Sequence, residues 1–172
     1  WNELVLQRIE LLLPVLLDLI NQSRQGEDVD WQVLAGVIRS FVTIGSAINA
    51  EQPVQLYTHT FELKFLKRTQ QFYRKASTKF VSENAVADYM RKVTKWLEEE
   101  EERADTHLHL ETKSKLQATC IGVLIDDWKD VIISEFVSLV EHDQREDLRI
   151  LYSLLSRSTD GLKTVGKKLE GL

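Results

Sequence analysis

Three aspartates within five residues, Asp126-Asp127-Trp128-Lys129-Asp130, carry the sharpest chemical signal in the sequence. On a helix, Asp126 or Asp127 shares a face with Asp130, the arrangement by which some prenyl-diphosphate enzymes chelate magnesium and diphosphate. That chemistry also needs a second acidic motif on a facing helix and a cluster of arginine or lysine for the diphosphate. The sequence supplies no such second motif and no arginine or lysine cluster suited to diphosphate, and motifs of this length recur by chance. A polar helix face is the better account. Asp28-Val29-Asp30 opens like a calcium loop but lacks the loop glycine and the terminal glutamate, with Arg39 at the twelfth position. Helix capping explains these two aspartates.

The histidines are no better placed. His107 and His109 are two apart, so a helix points them away from each other, whereas a helical zinc pair is spaced by four. Cys120 is the only thiol, too few ligands for a closed site, and His59 and His142 have no recognisable partners. No serine sits in a nucleophile-elbow setting, and no glycine-rich phosphate loop is present. Trp31, Trp96 and Trp128 fall on or beside apolar stripes and read as core rather than as base-stacking platforms. Glu98 to Glu102 go more than all the way round a helix, so they read as a solvated helix end. No catalytic, cofactor-binding or metal-ligating residue is therefore assigned.

The elements behind these residues are helices. Two prolines and seven glycines punctuate the chain, and apolar residues mostly recur every three to four positions, which predicts helix almost throughout. No strand pattern competes, and Val131-Ile132-Ile133 lies within a helical stripe. Seven helices are expected. The first runs from about Glu3 to Arg24 and ends at Gly26, a left-handed cap. Pro14 predicts a kink or early break near Leu13. The second, about Trp31 to Ser46, starts at Asp28 or Asp30, and Gly45 joins Asn49–Pro53 in a loop. The third, about Val54 to Val81, carries Phe61, Phe65, Phe72, Ala76 and Phe80 on one side.

The fourth helix, about Ala85 to Leu108, begins after Ser82 or Asn84 and aligns Tyr89, Val93 and Trp96 or Leu97. The fifth, about Thr112 to Val140, reads as one helix roughly 40 Å long aligning Cys120, Leu124, Trp128, Val131, Glu135 or Phe136, and Leu139. The sixth starts with Asp143-Gln144-Arg145-Glu146, an aspartate variant of the capping box, and continues through Leu148, Leu151 and Leu155. The seventh starts near Asp160 and presents Leu162, Val165 and Leu169.

Composition narrows the class. A chain of 172 residues fits one ordinary domain and buries roughly 70% of its unfolded surface. Forty-three per cent hydrophobic and 28% charged residues make a globular mix rather than a disordered or membrane one. A net charge of −5 with interleaved signs provides no overall field for nucleic acid. The apolar run Leu11 to Leu17 stops at Asp18, far short of the ~20 residues that span a bilayer. Glu3 and Glu10 flank it, which argues against a signal peptide. The single cysteine precludes an internal disulfide and fits a reducing compartment. The chain begins at Trp1 and its only methionine, Met90, is internal, so it reads as a piece of something longer.

Three stretches carry a family likeness: FELKFLKRTQQFYRKAS (Phe61 to Ser77), ENAVADYMRKVTKWLEEEEER (Glu83 to Arg103) and EDLRILYSLLSRSTDGL (Glu146 to Leu162). Each resembles the matching stretch of a cullin N-terminal region. The shared words are an F-E-x-x-F-L…F-Y helix, an E-N-x-V-x-x-Y-M helix running into glutamates, and E-D-L…Y-x-L-x-S-R…D-G-L. Before Thr58 the likeness rests on Arg24-Gln25-Gly26-Glu27 and on Val37 to Gly45. The resemblance implies an all-α, elongated stack of antiparallel helices, a cullin-repeat-like α-solenoid. Residues 1–141 would form one five-helix repeat, with Trp1 in the tail of the preceding helix, and 142–172 would open the next.

The resemblance also implies a non-catalytic scaffold, a rigid spacer within a cullin–RING ubiquitin ligase of the cytoplasm and/or nucleus. In that family a BTB-fold or other adaptor binds the first repeat, and a RING-box protein binds the C-terminal domain. Both regions are expected to lie outside these residues, so no adaptor, RING or conjugation residue is assigned. A regulator that wraps the stalk is a further implied partner, whereas nucleic acid and membrane are not. The alternative is a stand-alone helical interaction module unrelated to ubiquitin transfer, which flanking sequence would discriminate. If the chain is a piece, some of Leu4, Leu6, Leu11 and Leu13 should be abnormally exposed or covered by another copy. Leu162, Val165 and Leu169 should then pack less tightly than Phe65 or Trp128.

Overall fold

The computed structural model describes residues 2–170, so the place expected for Trp1 lies outside the described residues. Among them the chain forms α1 (Asn2–Arg24), α2 (Trp31–Ile48), a π-helical turn (Tyr57–Glu62) leading into α3 (Leu63–Glu83), and α4 (Val86–His107). Then follow α5 (Thr112–Leu124), a 3-10 turn (Asp126–Trp128), α6 (Lys129–Ser134), α7 (Phe136–Glu141), α8 (Arg145–Arg157) and α9 (Gly161–Glu170). No described residue is in a strand. The helices group into two compact units. One takes the chain up to Thr69 together with Arg103–Lys113, the other Gln70–Glu102 together with Ser114 onward.

In the first unit, α1 buries Leu13, Leu16, Leu17 and Ile20, and α2 buries Leu34, Ala35, Ile38 and Phe41. Their three-to-four spacing is the apolar stripe of an amphipathic helix. Phe41 and Phe61 stack with ring centres 6.0 Å apart, and Phe61 and Phe65 stack at 5.3 Å. Of the kink or early break expected at Pro14, the break does not occur, and helix α1 is continuous through Pro14. Glu10 and Pro14, the two residues at the missing helix bond, are both exposed. The helix ends as predicted, with Gly26 at φ 86°. Its Schellman bonds run from the Glu27 amide to the Gln22 carbonyl and from the Gly26 amide to the Ser23 carbonyl.

Asp30 rather than Asp28 caps α2, accepting from the Val33 amide at 3.1 Å. Gly45 is not in a loop. It is a buried residue of α2, placed where any Cβ would collide with the Pro53 carbonyl oxygen. The buried line of the third helix also differs from the expected one. Tyr57, Phe61, Phe65, Thr69, Tyr73 and Ser77 are fully buried, every fourth residue, while Phe72, Ala76 and Phe80 are only half-buried. Each step of four advances about 40° round an α-helix, so the buried direction turns along its length. Thr69 and Ser77 tolerate burial because their hydroxyls bond the Phe65 and Arg74 carbonyls of their own helix.

In the second unit the predicted fifth helix is broken. Val123, Leu124 and Ile125 are buried in succession, as are Ile132 and Ile133. Three consecutive residues cover about 200° of a straight helix, more than one face can bury. The chain instead tightens at the 3-10 turn, preceded by Ile125 (φ −115°, ψ −55°) and ending at Trp128 (φ −113°, ψ 9°), and α6 and α7 follow as separate short helices.

The aspartate capping box fails as well. Asp143 has φ 50° and terminates α7, with the Gln144 amide bonding the Leu139 carbonyl and the Asp143 amide the Val140 carbonyl. That leaves Gln144 as the cap of α8, without a side-chain bond. Asp143 serves the helix before it. Helix α8 buries Leu151 and Leu155 as expected, with Leu148 half-buried. Gly161 opens α9 against the Leu155 carbonyl, where a Cβ would collide.

Leu4 and Leu11 are 57% and 74% exposed, whereas Leu13 is buried. Leu162 and Val165 pack less tightly than Phe65, but Trp128 is itself only half-buried. The side chain of Leu169 lies outside the described residues. Truncating Phe65 to alanine should cost roughly 3–5 kcal/mol in denaturant unfolding. A loss below ~1 kcal/mol would show that this ring is not enclosed.

Candidate functional site

The three stretches singled out in the sequence are tied to one another within the second unit. Tyr73 donates from Oη to Glu100 Oε1 at 2.7 Å, joining the first stretch to the second. Arg91 reaches Asp147 Oδ2 at 2.6 Å, joining the second to the third. Tyr89 donates to the Leu124 carbonyl at 2.8 Å, and the Trp128 indole N–H donates to Ser77 Oγ at 3.1 Å. Ser158, just past α8, donates to Asp126 in the 3-10 turn. Every one of these bonds links side chains to a different helix or turn. They are struts.

Glu100 corrects the solvated reading of the glutamate run. Five successive positions surround the helix, so one of them must face inward, and Glu100 is buried while Glu98 and Glu102 are exposed. The Tyr73 hydroxyl supplies a donor that offsets desolvation of the carboxylate. Asp147 is similar. Its side chain is 6% exposed beside an Arg91 that is 51% exposed, and its other oxygen has no hydrogen-bond partner among the described residues. Burial pushes the Tyr89 phenol well above its ordinary value, opposed by a hydrogen bond with Ser77 and reinforced by the charge of Asp127.

The first unit has its own chain of buried hydroxyls. Thr112 donates to Glu62 Oε2 at 2.7 Å, so the Tyr57 hydroxyl, 2.6 Å from Thr112 Oγ1, donates in turn to Thr112. Burial raises the Tyr57 phenol, while its bonds with Thr112 and the His109 amide pull the other way. Arg24 donates to Thr69 Oγ1 at 2.8 Å and lies 5.4 Å from the centre of the Phe65 ring.

The aspartates of the D-D-x-x-D element are dispersed by the helix break. Asp126 holds Ser158 and approaches Lys129 at 3.5 Å, Asp127 approaches Arg74 at 3.7 Å, and Asp130 is exposed. Among the described residues no group of three or more histidine, cysteine, aspartate or glutamate side chains is placed to hold a metal. His107 stacks on Trp31 at 4.4 Å, His109 packs against Tyr57 at 5.5 Å, and His142 Nδ1 lies 2.8 Å from the Ser138 carbonyl. His59 lines a shallow apolar groove with Leu6, Ile48 and Leu56.

Trp96 is buried, and the half-buried Trp31 gives its indole N–H to Ser23. Helix α2, at 18 residues and mean hydropathy 1.4, is long and apolar enough to cross a membrane by length and composition. Its face Leu34, Ala35, Ile38, Phe41 and Gly45 is spent on the core of the first unit. Sequence reasoning missed Thr69, Ser77, Thr112, Glu62, Glu100 and Asp147. A signal existed for the first two, since each continues an aromatic line at the fourth position.

A family model of the cullin alpha solenoid domain matches residues 1–171. The chain belongs to the cullin family. It is 43% identical over 159 residues to a protein named cullin-1 from Dictyostelium discoideum, covering 90% of this chain and 20% of that protein. It is 32% identical over 173 residues to cullin-5 from Caenorhabditis elegans, covering 99% and 22% respectively. Identity to cullin-1 of Caenorhabditis elegans is 30% over 168 residues, covering 92% and 22%. The chain thus spans about a fifth of the length of these relatives. The likeness carried by the three stretches and the all-α expectation both hold.

Two outcomes follow for this cullin-family chain. In a double-mutant cycle, Arg91→Met and Asp147→Asn should be coupled by about 1–3 kcal/mol, because removing the arginine strands a buried carboxylate. Additive losses would mean the pair contributes nothing. Both buried phenols stay protonated above their ordinary value of 10.0. As pH rises past about 10 the unfolded chain loses these protons first and binds fewer than the native state, so stability falls. Their contribution is complete below pH ~10 and is lost as pH climbs toward the raised folded values. Tyr89→Phe should remove up to ~1.4 kcal/mol per pH unit of that slope in urea unfolding. An unchanged slope would acquit Tyr89.

Proposed function

We propose that this chain is a non-catalytic stretch of a cullin scaffold, acting as a stiff spacer in a cullin–RING ubiquitin ligase of the cytoplasm or nucleus. The observation that carries the reading is how the polar residues of the family stretches are used. Tyr73, Glu100, Arg91 and Asp147 bond helix to helix instead of converging on a cavity. Residues that lock helices in register suit a part whose task is to hold distance.

Such a part accelerates transfer without touching either reactant. Holding a substrate and a charged E2 at fixed separation raises their effective concentration, and a floppy connection forfeits that gain. In the complete protein an adaptor carrying the substrate receptor would bind an N-terminal repeat, and a RING-box protein would bind the C-terminal domain. Membership of the cullin family supports this arrangement.

The test uses the full-length cullin that carries this stretch, with a four-residue Gly-Ser insertion after Thr69 in α3. Binding of adaptor and RING-box protein should be unchanged, as should E2 discharge onto free lysine. Ubiquitin transfer to a bound substrate should drop roughly tenfold. Undiminished transfer through the softened stretch would sink the spacer reading. A parallel fall in E2 discharge would sink the non-catalytic one.

A further inference from the structure

The interleaved charge of the whole chain conceals a segregated one. Helix α3 carries six cations, Lys64, Lys67, Arg68, Arg74, Lys75 and Lys79, against the single acid Glu83, in a chain of net charge −5. Within the second unit, Gln71, Arg74, Lys75, Thr78, Lys79 and Ser82 line a shallow open groove along one face. Their spacing of three and four places them on a single stripe, and all six are exposed. No acid lines it.

Four other exposed helix cations have acids of their own helix beside them: Arg91–Asp88, Lys95–Glu99, Arg149–Glu146 and Lys163–Asp160. Here Lys75 and Lys79 form no ion pair among the described residues, and stand at the like-charged i, i+4 spacing that weakens a helix by a few tenths of a kcal/mol. Arg74 approaches Asp127 at 3.7 Å with both side chains at least half exposed, a geometry that contributes little in water. The Thr78 and Ser82 hydroxyls donate to the Arg74 and Lys79 carbonyls, so what they offer outward is acceptor oxygen. The free donors of the groove are two ammonium groups, most of a guanidinium and an amide.

We propose that this face of α3 docks an acidic segment of a partner protein, its aspartates and glutamates seated on Arg74, Lys75 and Lys79. From Gln71 to Ser82 the face is about 16 Å long, enough for two turns of an acidic helix or a handful of extended residues. Nucleic acid fits less well. Single strands bind through aromatic platforms beside the cations, and the aromatic residues of this part of α3 are turned inward, Tyr73 buried and Phe72 and Phe80 half-buried. A membrane would need large apolar residues on the stripe, and it has none.

The test titrates the 172-residue chain into a fluorescein-labelled glutamate-rich peptide at roughly 0.15 M salt. Saturable binding is expected. Lys75→Glu with Lys79→Glu should weaken it roughly tenfold or more, while the equal charge change Arg145→Glu with Arg149→Glu on α8 should leave it in place. Circular dichroism of both variants reports folding. Lack of saturable binding, or equal weakening by the two variants, would overturn the proposal. So would tighter binding to single-stranded DNA of matched charge or to phosphatidylserine vesicles.

Discussion

A phenol removed from water costs free energy unless its hydroxyl finds a partner, and Tyr57, Tyr73 and Tyr89 are all essentially fully buried. Each satisfies that need on a different part of the chain: Thr112 at the start of α5, Glu100 in α4, and the Leu124 carbonyl at the end of α5. Apolar burial is indifferent to direction, so many registers of two helices cover similar area. A hydrogen bond tolerates little misalignment. The three tyrosines therefore select, among packings of comparable area, the one in which every buried hydroxyl is answered. The remaining struts, from Arg91 to Asp147 and from Trp128 to Ser77, work within the registers so chosen.

The interruption after α5 has a similar origin. An unbroken helix from Thr112 to Val140 would keep one stripe inside and would carry Val123 or Ile125 into solvent. Tightening at Asp126–Trp128 lets three successive apolar residues stay covered and turns the Asp126 carboxylate toward Ser158. That contact, and the close approach of Gly161 to the Leu155 carbonyl, settle the corner where α8 ends and α9 begins. The acidic element that looked most like chemistry is thus spent on joining a turn to a helix end.

The words by which the chain resembles cullins acquire a common meaning in this light. Tyrosine of F-Y, arginine after Y-M, a glutamate of the acidic run and aspartate of E-D-L each answer a packing demand raised by another stretch, and the glycine of D-G-L answers one raised within its own. Residues bound so tightly to one another are poor candidates for contact with anything else. Recognition is left to exposed faces such as the basic side of α3, where side chains owe little to the fold.

Local chemistry was enough to read the helical character of the chain, the Gly26 cap, a start of α2 at Asp28 or Asp30, the Leu151 and Leu155 stripe of α8 and the cullin likeness. All of these are set by neighbours three or four residues away, so periodicity and composition contain them. Other features were decided only in three dimensions. Whether Phe72 or Tyr73 faces inward depends on which helix lies opposite. Glu100 is buried because Tyr73 offers it a proton, and Asp143 ends α7 instead of opening α8 because both roles compete for one residue. The long helix breaks because its apolar residues must meet more than one surface. Except at Asp143, where two adjoining helices compete for one residue, the deciding partner lies outside the helix that carries the residue, and a linear pattern holds no record of it.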